Sequence, residues 1–357
     1  MAVESGILHE TSALVRRFAA LCLLGLAPGA AGAAAALFDD DAVLDVRLAG
    51  PLATLSGDRA DAVREEHPFT LLVAGSDIPL SVRVRGKSRI ELCDFPPLRL
   101  RFAAAHAADT VFAGQHKLKL VTHCRSDKAH FENNLLDEYT AYRIFNLLSE
   151  TSYRARLLRI AYEDTDGKLK HLDRPYYGFL IESDDGLADR LGASVVELPG
   201  ILYSRLNTTQ TTRMAVFQYL IGNTDWSFVA SAGEETCCHN VDLLEKDDEL
   251  YPVPFDFDLS GLVNATYAKP AAGVRARKVT QRVYRGYCRS ALQDVAAALE
   301  DVVSLRDEII SISASAPVVG KDSAVARAQY IDRFFEEAVD EREKLLKRFE
   351  RDCVGRD

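Results

Sequence analysis

Three short segments alternate strictly between apolar and polar residues, and that pattern leaves few folding options. In residues 78–86 (IPLSVRVRG), Leu80, Val82 and Val84 fall on one side, with Ser81, Arg83 and Arg85 on the other. Residues 97–102 (PLRLRF) set Leu98, Leu100 and Phe102 against Arg99 and Arg101. Residues 116–121 (HKLKLV) set Leu118 and Leu120 against Lys117 and Lys119. A period of two belongs to strands. One apolar face and one cationic face describe antiparallel strands that cover a core on one side only.

The pattern then changes. Leu135, Leu136, Tyr139, Tyr142, Ile144, Phe145 and Leu148 recur at helical spacing. Two further strands are expected near residues 156–162 and 176–182, separated by the turn EDTDGK. Beyond them a helix is expected over 208–222, a hairpin over 240–254, and two long helical stretches to the C-terminus. Sheet with one helix, followed by mostly helices, predicts an α+β chain. We read a β-rich unit over residues 37–185 and a helical unit over 186–357. The net charge of −10 and the absence of a basic aromatic stripe argue against nucleic acid as a partner.

The N-terminus carries Arg16 and Arg17, an apolar run over 18–27, then Pro28, Gly29 and small residues to Ala36. That order predicts a secretory signal peptide over 1–36, with the mature chain beginning between Ala33 and Leu37. The run is too short for a permanent transmembrane anchor. A secreted or periplasmic location follows, and the six cysteines beyond Cys22 are then expected to form disulfides. Cys288 and Cys353 flank the C-terminal helical stretches, whose antiparallel packing would bring them together. Cys237 and Cys238 are neighbours, so each is expected to pair elsewhere. The "CCH" of 237–239 lacks a second ligand pair at zinc spacing.

Two polar breaks interrupt apolar sequence. In LIGNTDW, Asp225 and the only tryptophan, Trp226, follow the expected end of a helix. In PVPFDFDLSG, Asp256 and Asp258 sit among aromatic residues just after the hairpin, which opens at Asn240. An acid, then an Asn, then an Asp closing a short hairpin is the layout of kinase-like phosphotransferases. In that chemistry the first Asp orients the attacking hydroxyl. The Asn and the later Asp hold Mg²⁺, whose hard charge takes oxygen ligands.

With these motifs in order, the chain resembles the CotH family of spore-coat kinases, atypical relatives of protein kinases. The resemblance rests on VRVRGKSR with PLRLRF, on the segment KLKLVTHCRSDKAHFENNLLDEYTAYRIF, on RPYYGFLIES, and on LIGNTDW, HNVDLL and PVPFDFDLSG. It spans roughly residues 82–261. Pro96 and Pro97 stand where the family carries a lysine, and Trp226 stands where it carries an arginine. The resemblance implies a two-lobed protein-kinase-like fold: an N-terminal antiparallel sheet lobe with one helix, and a mainly helical C-terminal lobe. It implies ATP with Mg²⁺ or Mn²⁺, and a protein substrate whose identity the motifs do not define. Asp225 would be the catalytic acid. Asn240, Asp256 and Asp258 would hold the metal. Lys119, Lys117, Glu138 and Arg85 would meet the nucleotide, with Glu138 pairing one of the strand cations. Because ATP is scarce outside the cytoplasm, a non-catalytic binding or envelope-assembly module is a second reading. A Mg²⁺-dependent phosphohydrolase using Asp256 and Asp258 is a third.

Overall fold

A computed structural model describes residues 36–60, 63–86, 89–169, 172–229, 236–288, 292–319 and 323–355. The expected signal peptide lies outside the described residues, apart from Ala36. Among the described residues, ten strands and ten α-helices follow in chain order: β1 (Leu44–Gly50), α1 (Leu52–Gly57), β2 (His67–Val73), β3 (Ser76–Val84), α2 (Arg89–Leu92), β4 (Leu98–Phe102), α3 (Ala104–Ala107), β5 (Lys117–Val121), α4 (Ala129–Leu148), β6 (Ala155–Asp164), β7 (Tyr176–Ile181), α5 (Asp184–Leu191), β8 (Ser194–Val196), α6 (Thr208–Ile221), β9 (Val241–Lys246), β10 (Glu249–Pro254), α7 (Leu292–Ser304), α8 (Arg306–Ser315), α9 (Ser323–Asp340) and α10 (Arg342–Asp352).

The two-lobed kinase-like expectation is corrected here. The N-terminal strands do not form an open antiparallel sheet. They close into a seven-stranded barrel, β1-β2-β3-β4-β5-β7-β6. A ring in which every neighbour is antiparallel needs an even number of strands. With seven, one junction must be parallel, and β1 against β6 is that junction, running from Leu44 opposite Leu158 to Gly50 opposite Asp164. The alternating segments supply the interior: Leu80, Val82, Val84, Leu98, Leu100, Phe102, Leu118 and Leu120 are all buried there. Their cationic partners therefore line the outside of the barrel. The hairpin expected over 240–254 is present as β9 and β10, and β8 adds a strand to it. The three together form a sheet, β10-β9-β8.

The joint between barrel and helices is α4. It is buried nearly all round. Leu135, Leu136, Tyr139 and Phe145 share one apolar cluster with Phe179 and Ile181 of β7, Phe217 and Leu220 of α6, and Phe334 of α9. Three acids on this helix are buried, and each meets a different arginine. Glu132 binds Arg174 at 2.7 Å, Asp137 binds Arg327 at 2.9 Å, and Glu138 binds Arg89 at 2.6 Å. Buried carboxylates need such partners. The acidic leader is anchored likewise: Asp39 pairs with Arg154 at 3.0 Å, Asp40 with Arg156 at 2.8 Å, and Asp41 with Arg143.

Cys288 and Cys353 are joined, with Cα atoms 5.0 Å apart, as are Cys93 and Cys124, at 4.6 Å. Cys237 and Cys238 are bonded to each other, against the expectation that each would pair elsewhere. Among the described residues the other four cysteines are paired off at close range, which leaves the two neighbours to one another.

Candidate functional site

The turn after α6 explains why the sequence breaks at GNTDW. Gly222 caps the helix in the left-handed region, at φ +65°. A Cβ there, or at Gly261, would collide with the Tyr330 hydroxyl, and Gly261 N–H donates to Gly222 O at 3.1 Å. The buried Asn223 accepts the Asp225 N–H through Oδ1 at 2.9 Å. Thr224 Oγ1 accepts Ala271 N–H at 3.0 Å. Trp226 is 2% exposed and packs edge-on against Phe228. Every residue around Asp225 is thus held, and its carboxylate is the group left to project.

That carboxylate meets the start of the hairpin. Asn240 Nδ2 donates to Asp225 Oδ2 at 2.9 Å and to its backbone O at 2.7 Å. His239 Nε2 lies 3.0 Å from Oδ1. The hairpin returns its other end to the same place: Phe255 N–H donates to Asn240 O at 3.1 Å, which leaves Asp256 beside Asn240. Asn240 and Asp256 both have positive φ, +53° and +59°. A non-glycine residue kept in that region is held by its surroundings, and such outliers cluster at functional sites. Asp256 N–H donates to Tyr142 Oη on α4 at 3.1 Å.

Arg89, at the start of α2, faces three acids. Its guanidinium is 2.6 Å from Glu138, 3.0 Å from Asp258 and 3.6 Å from Asp256. Tyr267 Oη also donates to Asp258, at 3.1 Å. Glu138 is only 2% exposed, while 46% of the Asp256 side chain remains open to the cleft. Burial pushes the Glu138 carboxyl up, against Arg89 and helped by Asp258 and Asp256. Burial, then the charge of Asp258, raises Asp256, and Arg89 and Arg85 oppose this. The cluster is short of positive charge.

Lys119 reaches the same cleft from β5, but its partner is Asp184, at 2.8 Å. Burial works against the Asp184 charge, yet Lys119 holds that carboxyl below its ordinary range. Tyr153 Oη contacts both Asp184 (3.0 Å) and Asp242 (2.5 Å), and its single proton can serve only one at a time. Arg85 lines the cleft, its guanidinium lowered by burial and supported by Asp256. The free space enclosed by Arg85, Arg89, Lys119, Glu138, Tyr142 and Asp256 is about 50 Å³.

Of the expected site residues, Arg85, Lys119, Glu138 and Asp256 line the cleft; Asp258 joins it through Arg89, and Asn240 with Asp225 stands behind Asp256, outside the lining. Lys117 is exposed on the barrel, opposite Arg101. The expected pair between Glu138 and a strand cation is not formed, because Arg89 takes Glu138 and Asp184 takes Lys119. Sequence reasoning missed Arg89 as the hub and gave His239 no chemistry. The one available signal for His239 was its place next to Asn240.

A divalent cation is implied by the resemblance, and the donor set admits one. Asp256 offers an open carboxylate. Asn240 has spent its N–H group on Asp225 and keeps an amide oxygen. Asp258 is engaged by Arg89 and Tyr267. Among the described residues, no three His, Cys, Asp or Glu side chains gather into a metal site of their own. No family model matches the chain, and no curated protein matches it.

Proposed function

We propose that this cleft binds a nucleoside triphosphate, ATP by resemblance to the CotH family, and transfers its terminal phosphate to a hydroxyl of a protein substrate. The observation that carries the reading is the meeting of Asp225, Asn240 and Asp256, from two separate sequence breaks, beside Arg85, Arg89 and Lys119. Asp225, fixed through both carboxylate oxygens by Asn240 and His239, is set to orient an acceptor hydroxyl and take its proton. Arg85 and Lys119 supply positive charge for phosphate oxygens, and arginine suits them as a bidentate donor. Asp256 and Asn240 would hold Mg²⁺ or Mn²⁺, which when bound offsets charge on the phosphates. The disulfides favour a secreted or periplasmic location. Among the described residues, no helix is long and apolar enough to cross a membrane.

A non-catalytic binding role is the second reading, and two observations favour it. Arg89 already answers Glu138, Asp258 and Asp256, and the cleft is tight around it. The test is a rise in melting temperature with millimolar Mg²⁺–ATP or Mn²⁺–ATP, together with transfer of the γ-phosphate. A ligand of the native state alone stabilises it. Asp256→Asn should abolish the rise, whereas Asp225→Asn should keep it and lose transfer, because positioning acts mainly in the transition state. No rise in the wild type rejects the nucleotide site. A rise without transfer supports the binding module.

A further inference from the structure

A second recess lies next to the Asp225 turn, and the cleft chemistry does not use it. It encloses about 860 Å³ between residues 272–285 and helix α10. Five arginines line it: Arg275, Arg282, Arg285, Arg348 and Arg351. The one acid in its wall is Asp352, already bonded to Arg351 at 2.7 and 2.9 Å. Arg348 is shared with Glu337 and Tyr219 Oη. Arg275, Arg282 and Arg285 make no ion pair with any described carboxylate. In a chain with 53 acidic and 43 basic residues, such a grouping has to be set against the ordinary pairing of arginines elsewhere in the molecule.

The recess is preformed. Arg282 stacks on the Tyr330 ring at 4.0 Å, donates to Leu220 O at 3.1 Å, and also reaches Tyr330 O. Its far wall is tied by the Cys288–Cys353 disulfide and by two backbone bonds, Cys288 N–H to Val354 O (3.0 Å) and Val354 N–H to Gly286 O (2.9 Å). It is also joined directly to the Asp225 turn. Ala271, which precedes the lining residue Ala272, donates to Thr224 Oγ1, and Leu220 belongs to the helix that delivers Asp225. Burial lowers the Arg285 guanidinium, and Tyr287 and the nearby Asp225 oppose this.

We infer that this arginine-lined recess binds an acidic segment of a polypeptide, rich in Asp and Glu, and thereby presents a neighbouring hydroxyl to Asp225. The reasons are charge complementarity, a volume that fits a few residues, the Arg275 and Arg285 guanidinium groups that no described carboxylate engages and that suit carboxylates, and the direct bond to the turn. The inference rests on the proposed transfer reaction for its purpose, but the recess can be tested without it.

The experiment measures binding to the full mature protein, without nucleotide, by fluorescence anisotropy. The probes are a labelled Asp/Glu octapeptide containing one serine, a neutral Gly/Ser octapeptide and a Lys/Arg octapeptide. The acidic peptide should bind with an affinity that falls as salt rises, and the other two should not. Arg275→Glu with Arg285→Glu should weaken binding at least tenfold. The milder pair Arg275→Gln with Arg285→Gln should weaken it measurably while the melting temperature holds, which separates binding from misfolding. Equal binding of all three peptides, or no effect of either pair of substitutions, overturns the inference. So does the absence of peptide binding together with a rise in melting temperature in millimolar inorganic phosphate, which would mark a small-anion site. The two proposals fail separately. Acidic-peptide binding without phosphotransfer upholds the recess and rejects the transfer reaction. Transfer to acidic and neutral acceptors alike, untouched by the substitutions, does the reverse.

Discussion

Arg89→Met removes the guanidinium that Glu138, Asp258 and Asp256 share and keeps most of the side-chain volume. Glu138 already has a raised pKa, so the wild-type cluster carries one proton with little cost at neutral pH. Without Arg89 a second carboxyl must also give up its charge or remain buried unpaired. Breaking a buried pair by removing one partner costs about 3–5 kcal/mol. Proton uptake gives an independent ceiling. Protonating a carboxyl of ordinary pKa about 3.9 costs about 1.4 kcal/mol per pH unit, hence about 4 kcal/mol at pH 7 and about 1.5 kcal/mol at pH 5. The two estimates agree at neutral pH.

The sign follows from linkage. The newly protonated carboxyl has a folded pKa above its unfolded value, so the variant is least harmed below about pH 4 and loses stability as pH rises. Urea unfolding of wild type and variant at pH 5, 6, 7 and 8 reads this directly. The loss should grow by about 1.4 kcal/mol per pH unit over that range until the chain can take up no more. Millimolar Mg²⁺ should return part of the loss at pH 8 and little at pH 5, because the cation and the proton compete for the same oxygens. An equal loss at every pH would refute the argument and assign the effect to packing. No loss at all would mean that Arg89 does not hold the cluster.

Other outcomes follow from the same structure. Because burial raises the Glu138 carboxyl to about 8, its contribution to stability is full below its ordinary range and declines as pH rises through that value. Glu138→Gln should therefore flatten the fall in wild-type stability between pH 5 and 8, as thermal melts across that range would show. Replacing Cys288 and Cys353 by serine opens a loop spanning 65 residues and should cost about 4 kcal/mol in the entropic view, with non-reducing mass mapping recovering the 288–353 linkage in the parent. Gly222→Ala places a side chain at φ +65° against the Tyr330 hydroxyl and should destabilise by about 2–4 kcal/mol. Adding Tyr330→Phe should recover part of that loss and none of the backbone part. N-terminal sequencing of exported protein should begin between Ala33 and Leu37; a retained 18–27 segment would contradict the export reading.

The strands were legible because each carries its whole apolar set on one face. Leu80, Val82, Val84, Leu98, Leu100, Phe102, Leu118 and Leu120 had no alternative burial once paired. Barrel closure was not legible. It depends on β1 pairing parallel with β6 across more than a hundred residues, and no local pattern records a partner at that range. The C-terminal stretches were read as two helices, but breaks at Leu305 and Glu341 make four; both are ordinary helix formers with no proline or glycine to mark the turn. The site was legible where polar residues interrupt apolar sequence, as at Asp225 and Asp256. It was hidden where an ordinary surface-like residue does the binding. Arg89 follows an Arg-Gly-Lys-Ser run that suits a solvated sheet face and a phosphate contact equally, and only the fold sets it against the acid of α4. Cys237 and Cys238 were misread because adjacency makes a mutual bond the less common choice.

Closure of the barrel also changes what the cationic face means. In an open sheet the basic face could have been covered by a second layer. Here the interior is filled with leucine, valine and phenylalanine, so Arg83, Arg99, Arg101, Lys117 and Lys119 must all stand outside. Their register makes this costly. Arg83 lies opposite Arg99, Arg99 opposite Lys119, and Arg101 opposite Lys117. Like charges directly across a strand pair repel. Burial and then Arg83 lower the Arg99 guanidinium. The described acids answer only two of these five: Glu66 binds Arg101 at 2.9 Å and Asp184 binds Lys119 at 2.8 Å. Arg83 and Lys117 pair with no described acid, and Arg99 is supported by Asp184 and Glu66 without an ion pair, so a band of positive charge runs through Lys119 to Arg85 and the cleft in a chain of net negative charge. Anionic ligands gain from such a field and solvated surfaces do not need one. On the proposed reading of the cleft, that gain links a barrel that the sequence pattern did not disclose to a cleft whose acids it did.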